Sequence, residues 1–250
     1  MSAACASRCS TLTEAATPSQ IVALGGGGCS DAEHLTPLDR YLLDLPGKPR
    51  PRVCFIGTAS GDAERYASKF FRAYAPVSDA SDLVLFGAPE PKSIARLAEQ
   101  DLVFVGGGNT ANLLAIWRLH NVGEALRAAW KAGTILAGIS AGAICWFEAC
   151  LTDSFGPGLS PVLDGLGFLA GSACPHFDGE PLRRPRYKEE VAAGRLPPGY
   201  GIDDGAALHF IGTELHAVVT EVKGSAASRF ELIDGAVRET RLDAKVLPGA

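Results

Sequence analysis

Residues 138–142 (GISAG) have the G-x-S-x-G pattern that holds a nucleophilic serine on a sharp turn between a strand and a helix. The apolar run 134–137 before it predicts a strand, and the apolar run 141–150 after it predicts a buried helix. The Ser140 hydroxyl would then lie at the carboxyl end of a sheet, near helix amides that can stabilise an oxyanion. The pattern therefore predicts that Ser140 is a nucleophile.

A nucleophilic serine needs a general base, and the chain has five histidines. His176 lies in a rigid turn, residues 174–178 (CPHFD), with carboxylates nearby, and it follows the serine in the sequence. His120 ends a predicted helix, where we expect it to cap the helix. His34 lies in a polar loop, and the remaining two are predicted to be structural, at His209 and His216. His176 is therefore the predicted base.

The third member of such a site is a carboxylate that orients the imidazole. Five carboxylates qualify by residue type: Asp153, Asp178, Glu180, Asp203 and Asp204. The last two follow what is predicted to be the end of a strand, but spacing alone does not choose among the five.

A second glycine-rich loop, residues 106–110 (GGGNT), also follows an apolar run and precedes a helical pattern. It can be an oxyanion loop that supplies a backbone amide opposite Ser140, a phosphate cradle or a simple tight turn. The phosphate cradle is disfavoured because the loop lacks both G-x-G-x-x-G and the Walker lysine.

The apolar runs alternate with helical patterns over the first 150 residues. Strands are predicted at 21–24, 52–56, 83–86, 102–105 and 134–137, and helices at 62–74, near 94–97, and from 113 and 122 onward. Near-continuous apolar strands predict an α/β fold, a mostly parallel doubly wound sheet with helices on both faces. Residues 156–205 are predicted to be loops with one helix near 185–193. Alternating runs after residue 215, with an Asp234-Gly235 turn, predict an antiparallel addition at the sheet edge.

Composition limits the function classes. The 250 residues are 47% hydrophobic with a formal net charge of −5, which favours a globular protein and disfavours nucleic acid as a partner. No apolar run is long enough to span a membrane, and seven cysteines without a C-x-x-C pair indicate a reducing, cytoplasmic compartment and no zinc site. We expect a flexible tail over residues 1–19 and a single domain over 20–250.

Four ordered motifs resemble the peptidase E (aspartyl dipeptidase) and cyanophycinase family of serine peptidases. They are GGGNT at 106–110, GISAGA at 138–143, PHF at 175–177 and GIDD at 201–204, and the resemblance extends over roughly residues 20–222. It implies a fold like that of class I glutamine amidotransferases and a cytoplasmic hydrolase, often dimeric, that needs no metal or organic cofactor.

The resemblance also implies roles for individual residues. Ser140 would be the nucleophile and His176 the base. The family acid is usually a glutamate, and Asp204 takes its place here, with Asp203 and Asp153 as lesser candidates.

The family cleaves small peptides after an N-terminal aspartyl residue or at β-aspartyl linkages. The substrate carboxylate would then need a cation, for which Arg183 and Arg186 are the first candidates. The oxyanion would be held by the backbone amides of Ala141 and of Gly108 or Asn109.

Three alternatives remain open on the sequence alone. The chain can be an esterase or amidase without aspartyl preference, a non-catalytic binding module of the same fold, or a nucleotide-binding protein that uses the glycine loops 25–28 and 106–108.

Overall fold

A computed structural model describes residues 18–30, 32, 34–87 and 89–250, so most of the predicted tail lies outside the described residues. The strands are β1 (Gln20–Leu24), β2 (Arg52–Ile56), β3 (Asp79–Leu83), β4 (Leu102–Val105), β5 (Ile135–Ile139), β6 (Phe147–Thr152), β7 (Ser160–Val162), β8 (Leu169–Cys174), β9 (Gly199–Ile202), β10 (Ala206–Ile211), β11 (Glu214–Thr220), β12 (Ala227–Ile233), β13 (Ala236–Leu242) and β14 (Lys245–Val246). The α-helices are α1 (Pro37–Asp44), α2 (Glu64–Tyr74), α3 (Pro91–Ala95), α4 (Thr110–Leu119), α5 (Val122–Lys131), α6 (Ala141–Ile144) and α7 (Arg183–Ala192).

The main sheet has eight strands in the order β14-β11-β10-β1-β5-β4-β2-β3. Strands β1, β5, β4, β2 and β3 run parallel to one another, whereas β10 is antiparallel to both β1 and β11. The predicted parallel α/β sheet and its antiparallel C-terminal addition are therefore confirmed.

Both faces of the main sheet are covered, which explains its near-continuous apolar strands. On one face, Leu38 and Leu42 of α1 and Phe70 and Tyr74 of α2 pack with alternate residues of the parallel strands. On the other face, α4, α5 and α6 pack with the remaining residues and with the second sheet. The site described below lies where the parallel strands end.

The second sheet has six strands in the order β13-β12-β9-β8-β6-β7, and the sequence analysis missed most of it. The run 141–150 is not one helix, because α6 is a single turn and the chain then extends into β6. Residues 156–205 contain β7, β8 and β9 besides the expected helix. These strands are short and include Gly and Pro, so they lack the periodicity from which strands are predicted.

The C-terminal alternating runs divide between the two sheets. β11 joins the main sheet, whereas β12 and β13 form a hairpin that extends the second sheet through β9. Asp234 and Gly235 both have positive φ in the turn, as the sequence signal predicts.

The third strand also differs from its prediction. β3 ends at Leu83, where residues 84–86 were expected to continue it. The Asp62 carboxylate instead accepts hydrogen bonds from the N–H groups of Leu85 and Phe86, which draws this segment out of the sheet.

An ion-pair cluster fixes the amino ends of β2 and β4. The Asp101 carboxylate accepts hydrogen bonds from Lys48 Nζ at 2.8 Å and Arg52 Nη2 at 2.9 Å, and also from the Arg52 backbone N–H. Burial opposes ionisation of Asp101, but these donors outweigh it and lower its pKa to about 2.

None of the helices in the described part of the chain has the length and apolar character needed to cross a bilayer.

Candidate active site

Ser140 occupies a strained turn between β5 and α6. Its backbone has φ 54° and ψ −114°, a conformation that side-chain-bearing residues rarely adopt outside functional turns. The Ser140 N–H donates to the Leu24 carbonyl of β1, and the Ser140 carbonyl accepts from Ala143 and Ile144 in α6. The turn is therefore fixed on both sides, and the hydroxyl projects beyond the carboxyl end of the sheet.

The glycines beside Ser140 are required by close backbone contacts. A Cβ on Gly138 would overlap the Gly142 carbonyl, and a Cβ on Gly142 would overlap the Val105 carbonyl of β4. A side chain at either position would push α6 away from the strands. The G-x-S-x-G pattern thus has the packing role that the sequence analysis gave it.

His176 follows β8 and faces Ser140. Its Nε2 lies 2.8 Å from Ser140 Oγ. The backbone here is also in the left-handed region, with φ 50°, and the His176 N–H donates to the Gly25 carbonyl at 3.3 Å. The backbone that carries the imidazole is therefore fixed to the glycine loop that follows β1.

Asp204 completes the chain of hydrogen bonds. It follows β9, and its Oδ1 lies 2.6 Å from His176 Nδ1. An ionised carboxylate only accepts, so Nδ1 carries the proton and Nε2 presents its lone pair to Ser140. The hydrogen bond with His176 lowers the pKa of Asp204, against an opposing effect of burial.

The other candidate acids lie elsewhere. Asp203 is buried, and its Oδ2 accepts from the Ala226 N–H at 3.0 Å and from Arg241 at 3.4 Å; burial raises its pKa. The Asp153 side chain is 60% exposed and its nearest ionic partner is Arg183, at 3.8 Å. Asp178 accepts from the Asp204 N–H at 2.8 Å, so it supports the loop rather than the imidazole.

The loop 106–110 lies against Ser140, as expected of an oxyanion loop. A Cβ on Gly107 would come within 3.3 Å of Ser140 Cβ. Asn109 is not a suitable oxyanion donor, because its N–H donates to the Ala59 carbonyl at 2.8 Å and its side chain caps α4. Among the described residues, the N–H groups of Gly108 and Ala141 have no acceptor, so the geometry favours Gly108 of the two alternatives.

Neither predicted arginine lies in the cavity beside Ser140. Arg183 is 3% exposed, and its guanidinium donates to both carboxylate oxygens of Glu180, at 2.8 and 3.0 Å. Arg186 pairs with Glu189 at 3.0 Å and with Glu190 at 2.7 Å. Both guanidiniums are therefore engaged by acids of α7 and the turn before it, an arrangement that residue type and proximity to His176 did not reveal.

A cavity of about 430 Å³ opens directly onto Ser140 and His176. Helix α2 contributes Arg65, Tyr66 and Lys69 to its lining. These residues belong to none of the sequence motifs that predicted the site. Arg65 and Lys69 are four residues apart on a predicted helix, a spacing that places them on one face, but nothing in the sequence alone indicated which face meets the serine.

The glycine loop 25–28 also contributes to the site. From the sequence, this loop had a role only in the nucleotide-binding alternative. Gly26 forms a bridge with Asp204, and a Cβ on it would overlap the Asp204 carboxylate and lie 2.9 Å from His176 Nδ1. Gly28 donates its N–H to the Glu221 carboxylate at 2.9 Å, which anchors the loop. The loop therefore forms the floor beneath the imidazole and its acid.

No three Cys, His, Asp or Glu side chains in residues 18–30, 32, 34–87 and 89–250 converge as metal ligands would. What the site offers instead is a hydroxyl, an imidazole and a carboxylate in hydrogen-bonded series, beside free backbone N–H groups. This arrangement can carry out acyl transfer.

Comparison with solved structures supports the fold. A peptidase from an acI-B1 actinobacterium superposes with a TM-score of 0.66, covering 92% of this chain and 96% of its own, at 18% identity. A putative peptidase E protein from Listeria monocytogenes EGD-e superposes with a TM-score of 0.57, covering 91% of this chain and all of its own, at 17% identity.

Sequence comparison supports the family. An uncharacterised peptidase of Bacillus subtilis strain 168, YgaJ, is 45% identical over 229 residues, covering 91% of this chain and 99% of its own. Peptidase E of Actinobacillus pleuropneumoniae serotype 3 is 28% identical and covers 72% of this chain and 80% of its own. The family model for peptidase family S51 matches residues 21–218. The predicted resemblance to peptidase E is therefore confirmed, and the chain belongs to peptidase family S51.

Proposed function

We propose that this peptidase is a serine hydrolase that cleaves small peptides through an acyl-enzyme on Ser140, with a preference for dipeptides that carry an N-terminal aspartyl residue or a β-aspartyl linkage. The observation that supports this most is the continuous series Ser140–His176–Asp204, with distances of 2.8 and 2.6 Å. The aspartyl preference is what the resemblance of the sequence motifs to the peptidase E (aspartyl dipeptidase) family implies.

In the proposed mechanism, His176 Nε2 takes the proton of Ser140 Oγ as the oxygen attacks the scissile carbonyl. Asp204 stays ionised, accepts the hydrogen bond from His176 Nδ1–H and stabilises the imidazolium that forms. The oxyanion is held by the N–H groups of Ala141 and Gly108, and donors of this kind are each worth about 2.7–4 kcal/mol.

His176 next gives its proton to the leaving amine, and the amine departs, which completes formation of the acyl-enzyme. A water molecule then takes the place of the amine and begins the second half of the reaction. His176 then deprotonates this water, which attacks the ester carbonyl of the acyl-Ser140 intermediate. As the bond between the acyl carbon and Ser140 Oγ breaks, His176 returns this proton to Oγ, so that the carboxylic acid product leaves and the Ser140 hydroxyl is restored.

The cavity is consistent with a small substrate. Its volume of about 430 Å³ lies in the lower part of the range of about 300–1,000 Å³ that is usual for small-molecule sites. Because the cavity is small, we expect short peptides rather than folded proteins as substrates. The carboxylates of Asp204 and Asp178 lie behind the imidazole rather than in the cavity lining, so they do not repel an acidic substrate at close range.

We also propose the cytoplasm as the compartment. The five cysteines of the described residues are free and buried, at Cys29, Cys54, Cys145, Cys150 and Cys174. Cysteines without disulfide partners are usual for proteins in a reducing environment.

The test is a cleavage screen with purified protein on Asp-X, β-Asp-X and neutral dipeptides, together with simple esters. We expect aspartyl dipeptides to be cleaved fastest and the Ser140→Ala variant to cleave none of the substrates. Turnover of esters and neutral amides without aspartyl preference would indicate a general acyl hydrolase. Wild-type activity in the folded Ser140→Ala variant would exclude the mechanism.

A further inference from the structure

The side of the substrate cavity formed by α2 carries two cationic side chains. Arg65 and Lys69 both line the cavity that contains Ser140 and His176. They are one helical turn apart, so their charged groups project toward the same region. No acidic side chain of the described residues lines this cavity.

Neither cation is neutralised by an ion pair with a carboxylate among the described residues. Arg65 is exposed, and Lys69 is partly buried with its Nζ donating to the Ser30 carbonyl at 3.1 Å. A protonated amine has three donors, so Lys69 retains hydrogen-bonding capacity toward a ligand. By contrast, Arg183 and Arg186 are both engaged by glutamates.

The helix that carries these cations is fixed relative to the nucleophile. The hydroxyl of Tyr66 accepts a hydrogen bond from the Gly107 N–H at 3.1 Å and lies 2.5 Å from Ser30 Oγ. Gly107 itself lies against Ser140. The part of α2 from which the two positive charges project is thus fixed relative to the reacting hydroxyl.

We propose that Arg65 and Lys69 bind a carboxylate of the substrate and determine a preference for peptides that carry this carboxylate. This inference rests on the proposed function. The carboxylate can be the side chain of an acidic residue or the free C-terminus of a short peptide, and both would form charge-assisted hydrogen bonds with the two cations. Such bonds contribute enough to change kcat/KM by about tenfold to a hundredfold.

The experiment compares three peptides, Asp-Leu, Asn-Leu and Asp-Leu amide. Asn-Leu lacks the side-chain carboxylate and Asp-Leu amide lacks the C-terminal one. We expect the wild type to discriminate by about tenfold to a hundredfold against whichever analogue lacks the bound carboxylate, mainly through KM. The Arg65→Gln/Lys69→Gln double variant should lose this discrimination while still cleaving the neutral analogue.

Two further variants serve as controls. Arg72→Gln removes a cation from the same helix at a position that does not line the cavity, and it should discriminate as the wild type does. Lys69→Arg keeps the charge and should retain most of the discrimination. Circular dichroism and thermal unfolding establish that each variant is folded.

Binding provides a readout that does not depend on hydrolysis. In the Ser140→Ala background, calorimetry should show tighter binding of the preferred acidic dipeptide than of its neutral analogue, and loss of this difference when Arg65 and Lys69 are replaced. If the wild type cleaves none of the peptides but this binding difference is found, the proposed function fails and the inference stands. Equal binding of all three peptides, or unchanged discrimination by the folded double variant, would overturn the inference.

Discussion

Replacing Asp204 by asparagine tests how the imidazole is oriented. The carboxylate accepts a hydrogen bond from His176 Nδ1–H, with 2.6 Å between Nδ1 and Oδ1, which leaves Nε2 as an acceptor 2.8 Å from Ser140 Oγ. An asparagine amide can turn its NH₂ group toward Nδ1, which favours the tautomer with the proton on Nε2. The base then points a proton at the hydroxyl that it should deprotonate.

We expect Asp204→Asn to lower kcat/KM by about 10³–10⁴-fold, by analogy with the same change in a Ser-His-Asp triad. At about 1.4 kcal/mol per factor of ten, this is a loss of about 4–5.5 kcal/mol in transition-state stabilisation. The stability should change much less, because the Asp204 side chain is 44% exposed and its removal leaves no buried charge unpaired.

The assay is steady-state release of free amine from a peptide that the wild type cleaves, with thermal unfolding measured alongside. Asp153→Asn is the matched control, since this residue is exposed and paired only with Arg183 among the described residues. It should stay within about threefold of the wild type. Asp204 does not orient the imidazole as described if Asp204→Asn retains more than a tenth of the wild-type kcat/KM, or if Asp153→Asn shows the same loss.

Three other predictions follow from close contacts and from one ion-pair cluster. Gly26→Ala should lower kcat at least about a hundredfold in a folded protein, because its Cβ would overlap the Asp204 carboxylate; normal kcat would contradict this. Gly138→Ala should destabilise the fold by about 2–4 kcal/mol in urea unfolding, because its Cβ would overlap the Gly142 carbonyl, and an unchanged midpoint would count against it. Asp101→Asn should cost about 1–2 kcal/mol at pH 7, and the loss should shrink as pH falls from about 4 toward 2, because a lowered pKa stabilises the fold only above that range. A loss that stays constant down to pH 2 would show that the charge is not responsible.

The sequence was most informative about the nucleophile and the sheet that supports it. Strand, turn and helix are contiguous around Ser140, so local patterns contain most of what determines that geometry. The parallel sheet was predictable for a similar reason, because burial on both faces leaves apolar strands that stand out from the helices between them.

Local sequence patterns could not identify the acid that orients His176 or the cations that line the cavity. Asp203 and Asp204 are adjacent in the sequence, and the bridge between Gly26 and Asp204, two distant segments, places the second of them beside the imidazole. Likewise, the arginines nearest to His176 along the chain are engaged by glutamates, whereas Lys69, more than a hundred residues away, lines the cavity. Contacts between segments that are distant in the sequence determine which acid and which cations reach the site, and residue spacing does not predict such contacts.

The second sheet was missed for a different reason. Its strands β7, β8 and β9 contain Gly or Pro and are only three to six residues long, so neither alternation nor apolar runs distinguish them from loops. Strand β6 continues the apolar run that begins in α6, and that run was predicted to be a helix. Yet β8 and β9 are the strands that deliver His176 and Asp204. The sequence motifs at these positions were informative only through their resemblance to a family.

Covalent labelling of Ser140 is the sharpest test that its hydroxyl is the nucleophile. The protein would be treated with a fluorophosphonate, and the adduct located by peptide mass spectrometry. We predict one adduct for each chain, on Ser140, formed far more slowly in His176→Ala and absent in Ser140→Ala. Labelling at another residue, or equal labelling rates in the wild type and the folded His176→Ala variant, would contradict the account.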